Sequence, residues 1–174
     1  MKEKLYTIPL MDAFHAEDEC PFCFIERSLE QNALDFILGT AYMESDIREK
    51  TDQLGFCRHH LSMMFDYGNS LGNALMLKTH CIKINEELAN EFKNFKPAPK
   101  ASLTDRLRKK VPSDESQKNS LSRFLSEKEK SCYLCDYNKE TYQRYMDTFF
   151  YLYQTSPEFI EMIRQSKGFC LHHL

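Results

Sequence analysis

The chain has 174 residues, room for one medium domain or two small ones, and its 42% hydrophobic and 28% charged content is that of an ordinary globular protein. A formal charge of −3 gives no overall pull toward nucleic acid or anionic membrane, and no apolar run nears the roughly 18 residues of a membrane span. Met1 to Leu10 holds lysines but no continuous apolar stretch, which argues against a secretory signal and sets a cytoplasmic expectation.

Taken in order, residues 1–19 carry Leu5-Tyr6-Thr7-Ile8-Pro9-Leu10 and then the acidic Glu17-Asp18-Glu19. Pro9 is unsuited to a central strand, so an extended arm packed on the body is expected. Cys20-Pro21-Phe22-Cys23 follows, with Pro21 suited to a rigid turn into a helix. Ile25, Leu29, Ala33, Phe36 and Ile37 then recur at helical spacing from Phe24 to about Leu38, and Gly39 closes the element. Ser45-Asp46 reads as the cap of a short helix carrying Ile47, Thr51 and Leu54, ended by Gly55.

Gly55-Phe56-Cys57-Arg58-His59-His60-Leu61 opens a long apolar-periodic segment that runs through Phe65, Leu71, Leu75, Ile82, Leu88 and Phe92. Within it Gly68 and Gly72 either admit a close helix or mark a break. Cys81, beside His80, is expected as a packed core thiol. From Lys93 to Lys110 the chain has seven basic residues against Asp105 alone, with Pro97 and Pro99 nearby, which reads as a linker.

A second series starts near Ser120 with Leu121, Phe124 and Leu125. Cys132-Tyr133-Leu134-Cys135 leads into a helix bearing Tyr137, Thr141, Tyr145, Phe149 and Leu152 on one side. Ser156-Pro157-Glu158 is a strong helix start, and that helix carries Phe159, Ile160 and Ile163 until Gly168 stops it. Gly168-Phe169-Cys170-Leu171-His172-His173-Leu174 repeats the motif at Gly55. The first copy continues into a long helix where the second ends, which suggests a trimmed chain.

The cysteines therefore follow one scheme twice, C-x2-C-x33-C-x2-H and C-x2-C-x34-C-x2-H, with Cys81 outside it. In a reducing compartment such a pattern points to metal or redox chemistry rather than to disulfides, and an odd total of seven argues the same way. Three thiolates and an imidazole form a common closed tetrahedral set for zinc. Cys57 and His60 are i and i+3 at a helix start and share a face, whereas His59 points away; the same logic selects His173 over His172. The expected ligands are Cys20, Cys23, Cys57, His60, Cys132, Cys135, Cys170 and His173, holding two Zn2+ per chain. The 33-residue spacer is long enough for a helical hairpin that returns Cys57 to its own Cys pair, although exchange of elements between copies or chains is the alternative. Thiol oxidoreductases share the C-x2-C layout, but no alternating βαβ pattern accompanies it here. An iron–sulfur cluster prefers four cysteines, and haem attachment needs an absent C-x-x-C-H.

The opening Tyr6-Thr7-Ile8-Pro9, the Glu19-Cys20-Pro21-Phe22-Cys23 turn, Leu54-Gly55-Phe56-Cys57 with His60, and Ala74-Leu75 with Thr79-His80 resemble one widespread bacterial family known only as a domain of unknown function. So do Ser131-Cys132-Tyr133-Leu134-Cys135, Ser166-Lys167-Gly168-Phe169-Cys170 and His173. The resemblance covers nearly the whole chain apart from the basic linker. It implies a mainly helical cytosolic protein with both motifs twice, with His60 and His173 rather than their neighbours as ligands, and it implies no activity.

The architecture expected is all-α: a first zinc-binding repeat over 1–94 with an N-terminal arm, a basic linker over 95–119, and a second repeat over 120–174. Four protein ligands at each site leave no position for substrate, and no nucleophile–base set, P-loop or dinucleotide turn is present. The leading functional expectation is a non-catalytic interaction or adaptor module with a protein partner, open to homo-oligomerisation. The alternatives are a thiol–zinc redox sensor and nucleic-acid binding through the basic linker, the latter opposed by the net charge and by the lack of a C2H2 finger spacing. His59 and His172 stand as spare imidazoles, the weak basis for any enzyme.

Overall fold

A computed structural model describes residues 3–95 and 120–174, with side chains from Leu5 onward. Among these residues the chain is all-helical, with eight α-helices: α1 Glu3–His15, α2 Pro21–Gly39, α3 Ser45–Leu54, α4 Arg58–Asp66, α5 Ser70–Asn94, α6 Ser120–Lys130, α7 Tyr133–Thr155 and α8 Pro157–Gln165. A 3-10 turn, Ala41–Met43, joins α2 to α3. The basic run expected as a linker lies outside the described residues from position 96 onward.

The helices form two compact units, Met1–Ala41 with Leu134–Leu174, and Tyr42–Tyr133. These units do not coincide with the 1–94 and 120–174 copies of the motif. The first takes α1 and α2 from one copy and most of α7 with α8 from the other; the second takes α3, α4 and α5 from one and α6 from the other.

The first unit is organised around aromatic rings. Leu10, Ala13 and Phe14 of α1 are buried, as are Phe22, Ile25 and Leu29 of α2, Tyr145 and Phe149 of α7, and Phe159 of α8. Phe22 meets Phe149 edge-on at 5.1 Å and stacks on Phe169 at 5.1 Å, while Phe14 meets Phe159 at 5.2 Å. Such pairs add about 0.5–1.5 kcal/mol each beyond their burial. The expected extended arm is instead helix α1, with Pro9 inside it. Proline within a helix costs roughly 3 kcal/mol, but burying Leu10 and Phe14 returns about 1.5–3 kcal/mol apiece and decides the conformation. The turn that loses its hydrogen bond carries Leu5 and Ile8, both exposed.

Helix α2 begins three residues earlier than expected, with Cys20 as N-cap and Pro21 in its first turn. At α8 the expected cap is present: Ser156 Oγ accepts from the Phe159 N–H at 3.2 Å. That helix ends at Gln165, short of Gly168, because Ser166 already closes it through N–H bonds to the Met162 and Ile163 carbonyls.

In the second unit α3 lies against α5 through a polar staple. Arg48 donates to the Leu75 carbonyl at 3.0 Å and to Thr79 Oγ1 at 2.7 Å, and Thr79 donates onward to Asp52 at 2.5 Å. His80 Nδ1 reaches the Asp52 carbonyl at 2.9 Å. The long apolar segment expected after Cys57 is broken between α4 and α5 at Gly68, whose φ is +88°. Gly72 serves the other purpose: it is buried, and a Cβ there would stand 3.2 Å from the Tyr42 ring and 2.9 Å from Asn69. Cys81 is exposed on α5, not packed in a core, because α5 turns its opposite face to α3.

Candidate metal centres

Both Gly-Phe-Cys motifs use glycine for its backbone. Gly55 has φ +64° and Gly168 φ +90°, a region L residues rarely enter. Gly55 caps the end of α3, Gly168 follows the Ser166 cap of α8 by two residues, and each precedes a Phe-Cys turn. Cys57 then becomes the N-cap of α4, which places His60 one turn on, 3% exposed. In the second copy the same turn is made without a following helix, closed by the His173 N–H donating to the Cys170 carbonyl at 2.9 Å.

All eight expected residues fall into two groups, and the groups cross between the copies. Cys20 and Cys23 lie with Cys170 and His173; Cys57 and His60 lie with Cys132 and Cys135, the donor atoms of each group within 4.8 Å of one another. The expected return of each C-x2-H motif to its own Cys pair is therefore replaced by exchange. In each copy the helix after the Cys pair is much longer than the helix before the Gly-Phe-Cys motif: 19 residues in α2 against ten in α3, and 23 in α7 against nine in α8.

In the first centre His173 Nδ1 stands 3.2 Å from Cys170 Sγ and 3.5 Å from both Cys20 and Cys23, and the Cys23 and Cys170 sulfurs are 3.6 Å apart. A tetrahedral ion with bonds of about 2.3 Å to sulfur and 2.0–2.1 Å to nitrogen separates its donors by about 3.8 Å for two sulfurs and about 3.6 Å for sulfur and nitrogen. The spacing fits that figure, and it is far from the roughly 2.0 Å of a disulfide; none of the seven cysteines is in a disulfide. In the second centre His60 Nδ1 lies 3.3 Å from the sulfurs of both Cys57 and Cys132. Cys132 is 1% exposed, whereas Cys135 is exposed.

Electrostatics in the first centre point the same way. Burial acts to raise the Cys20 thiol, but amide hydrogen bonds from Cys170, Cys23 and Phe22 bring it down to about 6. Cys23 is pushed up to about 12 by burial and by its neighbours Cys170 and Cys20. Tyr142 is likewise raised to about 12, by burial first and then by the negative charge of Glu26 and the three cysteines. Thiolates held this close repel one another, and a bound cation removes the conflict. Burial opposes protonation of His173, yet its contacts with Cys170 and Glu26 outweigh burial and raise it.

The two centres are assembled by different means. At the second, three successive carbonyls at the end of α3 accept from the other copy: Gln53 from Lys128 Nζ at 2.8 Å, Leu54 from Ser131 Oγ at 2.7 Å, and the capping Gly55 from the Tyr133 N–H at 3.0 Å. Lys128 also pairs with Glu87 at 2.6 Å. At the first centre Pro21 occupies the place of Tyr133 and has no N–H to give. Phe22 stacked on Phe169 takes over, with the His173 ring 5.7 Å from Phe22 and 6.4 Å from Tyr142. Across that centre Lys167 donates to the Glu17 backbone carbonyl at 2.7 Å.

His59, His172 and His15 are exposed and contribute to neither four-residue group. Sequence reasoning overlooked Glu26, whose carboxylate approaches His173. Its position three residues after Cys23, on the same helical face, was the available signal. No described helix is long and apolar enough to cross a membrane. No curated protein and no solved structure matches the chain. A profile described as a family of unknown function, DUF6062, matches residues 1–174, and the chain belongs to that family.

Proposed function

We propose that this is a zinc protein in which two Cys3His ions clasp a helical scaffold, serving as a non-catalytic interaction module in the cytoplasm. The observation that carries the zinc assignment is the donor spacing of 3.2 to 3.6 Å among three sulfurs and one imidazole nitrogen. Soft thiolates with one imidazole favour zinc over harder cations, and a shell filled by protein leaves no position for substrate. The ions would join segments remote in sequence, so metal binding is folding energy. Exposed apolar side chains such as Leu5 and Ile8 on α1 and Phe65 on α4 offer contact area to a protein partner.

The test is elemental analysis of protein purified without added metal, together with thiol titration. Two zinc per chain with six protected thiols, and loss of helical circular dichroism on chelation, is the expected result. Iron with visible absorbance, or readily titrated thiols without metal, would overturn the assignment.

A second reading has one observation in its favour, the exposed Cys135. A peroxide could oxidise Cys132 and Cys135 to a disulfide, two thiolates and two protons reducing one peroxide to two waters, with release of the ion. Reversible loss of one zinc of two under mild peroxide would support a redox sensor; two ions that persist would remove it.

A further inference from the structure

The residues of the first centre do not end with its four donors. His173 Nδ1 faces all three sulfurs, so it is the nitrogen turned toward the ion. The opposite nitrogen, Nε2, has no solvent contact and no completed hydrogen bond, and the side chain is 7% exposed. Its nearest charged neighbour is Glu26 Oε1 at 3.3 Å, close enough for an ion pair but off line for a finished hydrogen bond. Glu26 follows Cys23 by three residues on α2, a regular helix with no break between them. The helix that delivers two sulfurs therefore delivers the carboxylate in fixed register.

We infer that Glu26 is a positioning residue for the first centre: its carboxylate accepts the Nε2–H of His173 and so holds the imidazole with Nδ1 toward the metal. This rests on the metal reading above. A neutral imidazole bound through Nδ1 must carry its proton on Nε2, and a buried N–H without an acceptor costs about 1–3 kcal/mol. A carboxylate there fixes the tautomer, fixes the ring plane and makes the coordinating nitrogen a better donor; losing such a partner typically weakens metal binding 10- to 100-fold. Closing the 3.3 Å contact into a hydrogen bond needs only a small side-chain adjustment, since Glu26 is 45% exposed. The corresponding position after the second Cys pair is Asn138, an uncharged amide, so the i+3 carboxylate is not repeated there.

The test uses the full chain loaded with zinc. Release to a chromophoric chelator is followed while histidine-selective NMR reads His173 and His60 separately. In Glu26→Ala the first centre should lose 10- to 100-fold in affinity, and solvent exchange of the His173 Nε2–H should accelerate, with His60 unmoved. Glu26→Gln, which keeps an acceptor and loses the charge, should retain the slow N–H exchange and fall between the two in affinity. Unmoved affinity and exchange at His173 in both variants would overturn the assignment alone. Equal losses at both centres would also overturn it, as a general effect on folding. A wild-type chain that binds no metal would overturn the metal reading and this inference with it.

Discussion

The two centres have the same donor set, three cysteines and one histidine, yet they are built by different forces. At the second, polar groups do the joining: Lys128, Ser131 and the Tyr133 N–H satisfy the carbonyls at the end of α3, which a helix terminus otherwise leaves to water. At the first, Pro21 and Glu19 stand where Tyr133 and Ser131 stand, and neither side chain nor backbone can repeat those bonds. Aromatic packing replaces them, with Phe22 and Phe169 stacked at the core of the unit. The same set of donors is thus held by two kinds of joint, one of hydrogen bonds and one of hydrophobic contact.

The widest separation between outcomes comes from pairing ligand substitutions. Cys20→Ala combined with Cys170→Ala damages one centre and should leave one zinc per chain, whereas Cys20→Ala combined with Cys57→Ala damages both and should leave none. Metal content after gel filtration reads this directly. The reverse pattern would restore the uncrossed arrangement and dissolve the comparison.

Phe22→Ala attacks the apolar joint. The ring is 4% exposed, and its loss should cost about 3–5 kcal/mol by denaturant melting, accompanied by faster zinc loss from the first centre than from the second. Zinc retention unchanged at the first centre would mean that the aromatic stack stabilises the unit without holding the site.

Ser131→Ala attacks the polar joint and should do less. Removing one hydrogen bond and leaving the Leu54 carbonyl short of a partner costs about 1–2 kcal/mol, and the zinc released earlier should be that of the second centre. A loss as large as that of Phe22→Ala would show that the two joints are not distinct in strength.

Much of the site was legible before any coordinates. Spacing alone selected the eight donors, since a Cys-x2-Cys turn and a Cys-x2-His turn each present two groups on one side of a nascent helix. His60 over His59 follows from the same local geometry, and the structure brings His60 and His173 to the sulfurs. Helical periodicity located α2, α3, α7 and α8, because an amphipathic stripe is a local property of the chain. Other features were not local. Pro9 argued against regular structure around it, and only the burial of Leu10 and Phe14 in a shared core outweighed that. Cys81 carried an apolar pattern but lies on the face that α3 leaves uncovered.

What the sequence determined by itself is the inventory: an all-helical chain, two matched donor sets, and the glycines that let each Gly-Phe-Cys turn form. What only the tertiary structure decided is which set completes which. Ligand spacing is written in neighbouring residues, but partnership depends on where helices of 19, 10, 23 and nine residues deliver their ends. No window of sequence short enough to fix a turn contains both Cys20 and Cys170, or both Cys57 and Cys132, so only the tertiary structure groups them.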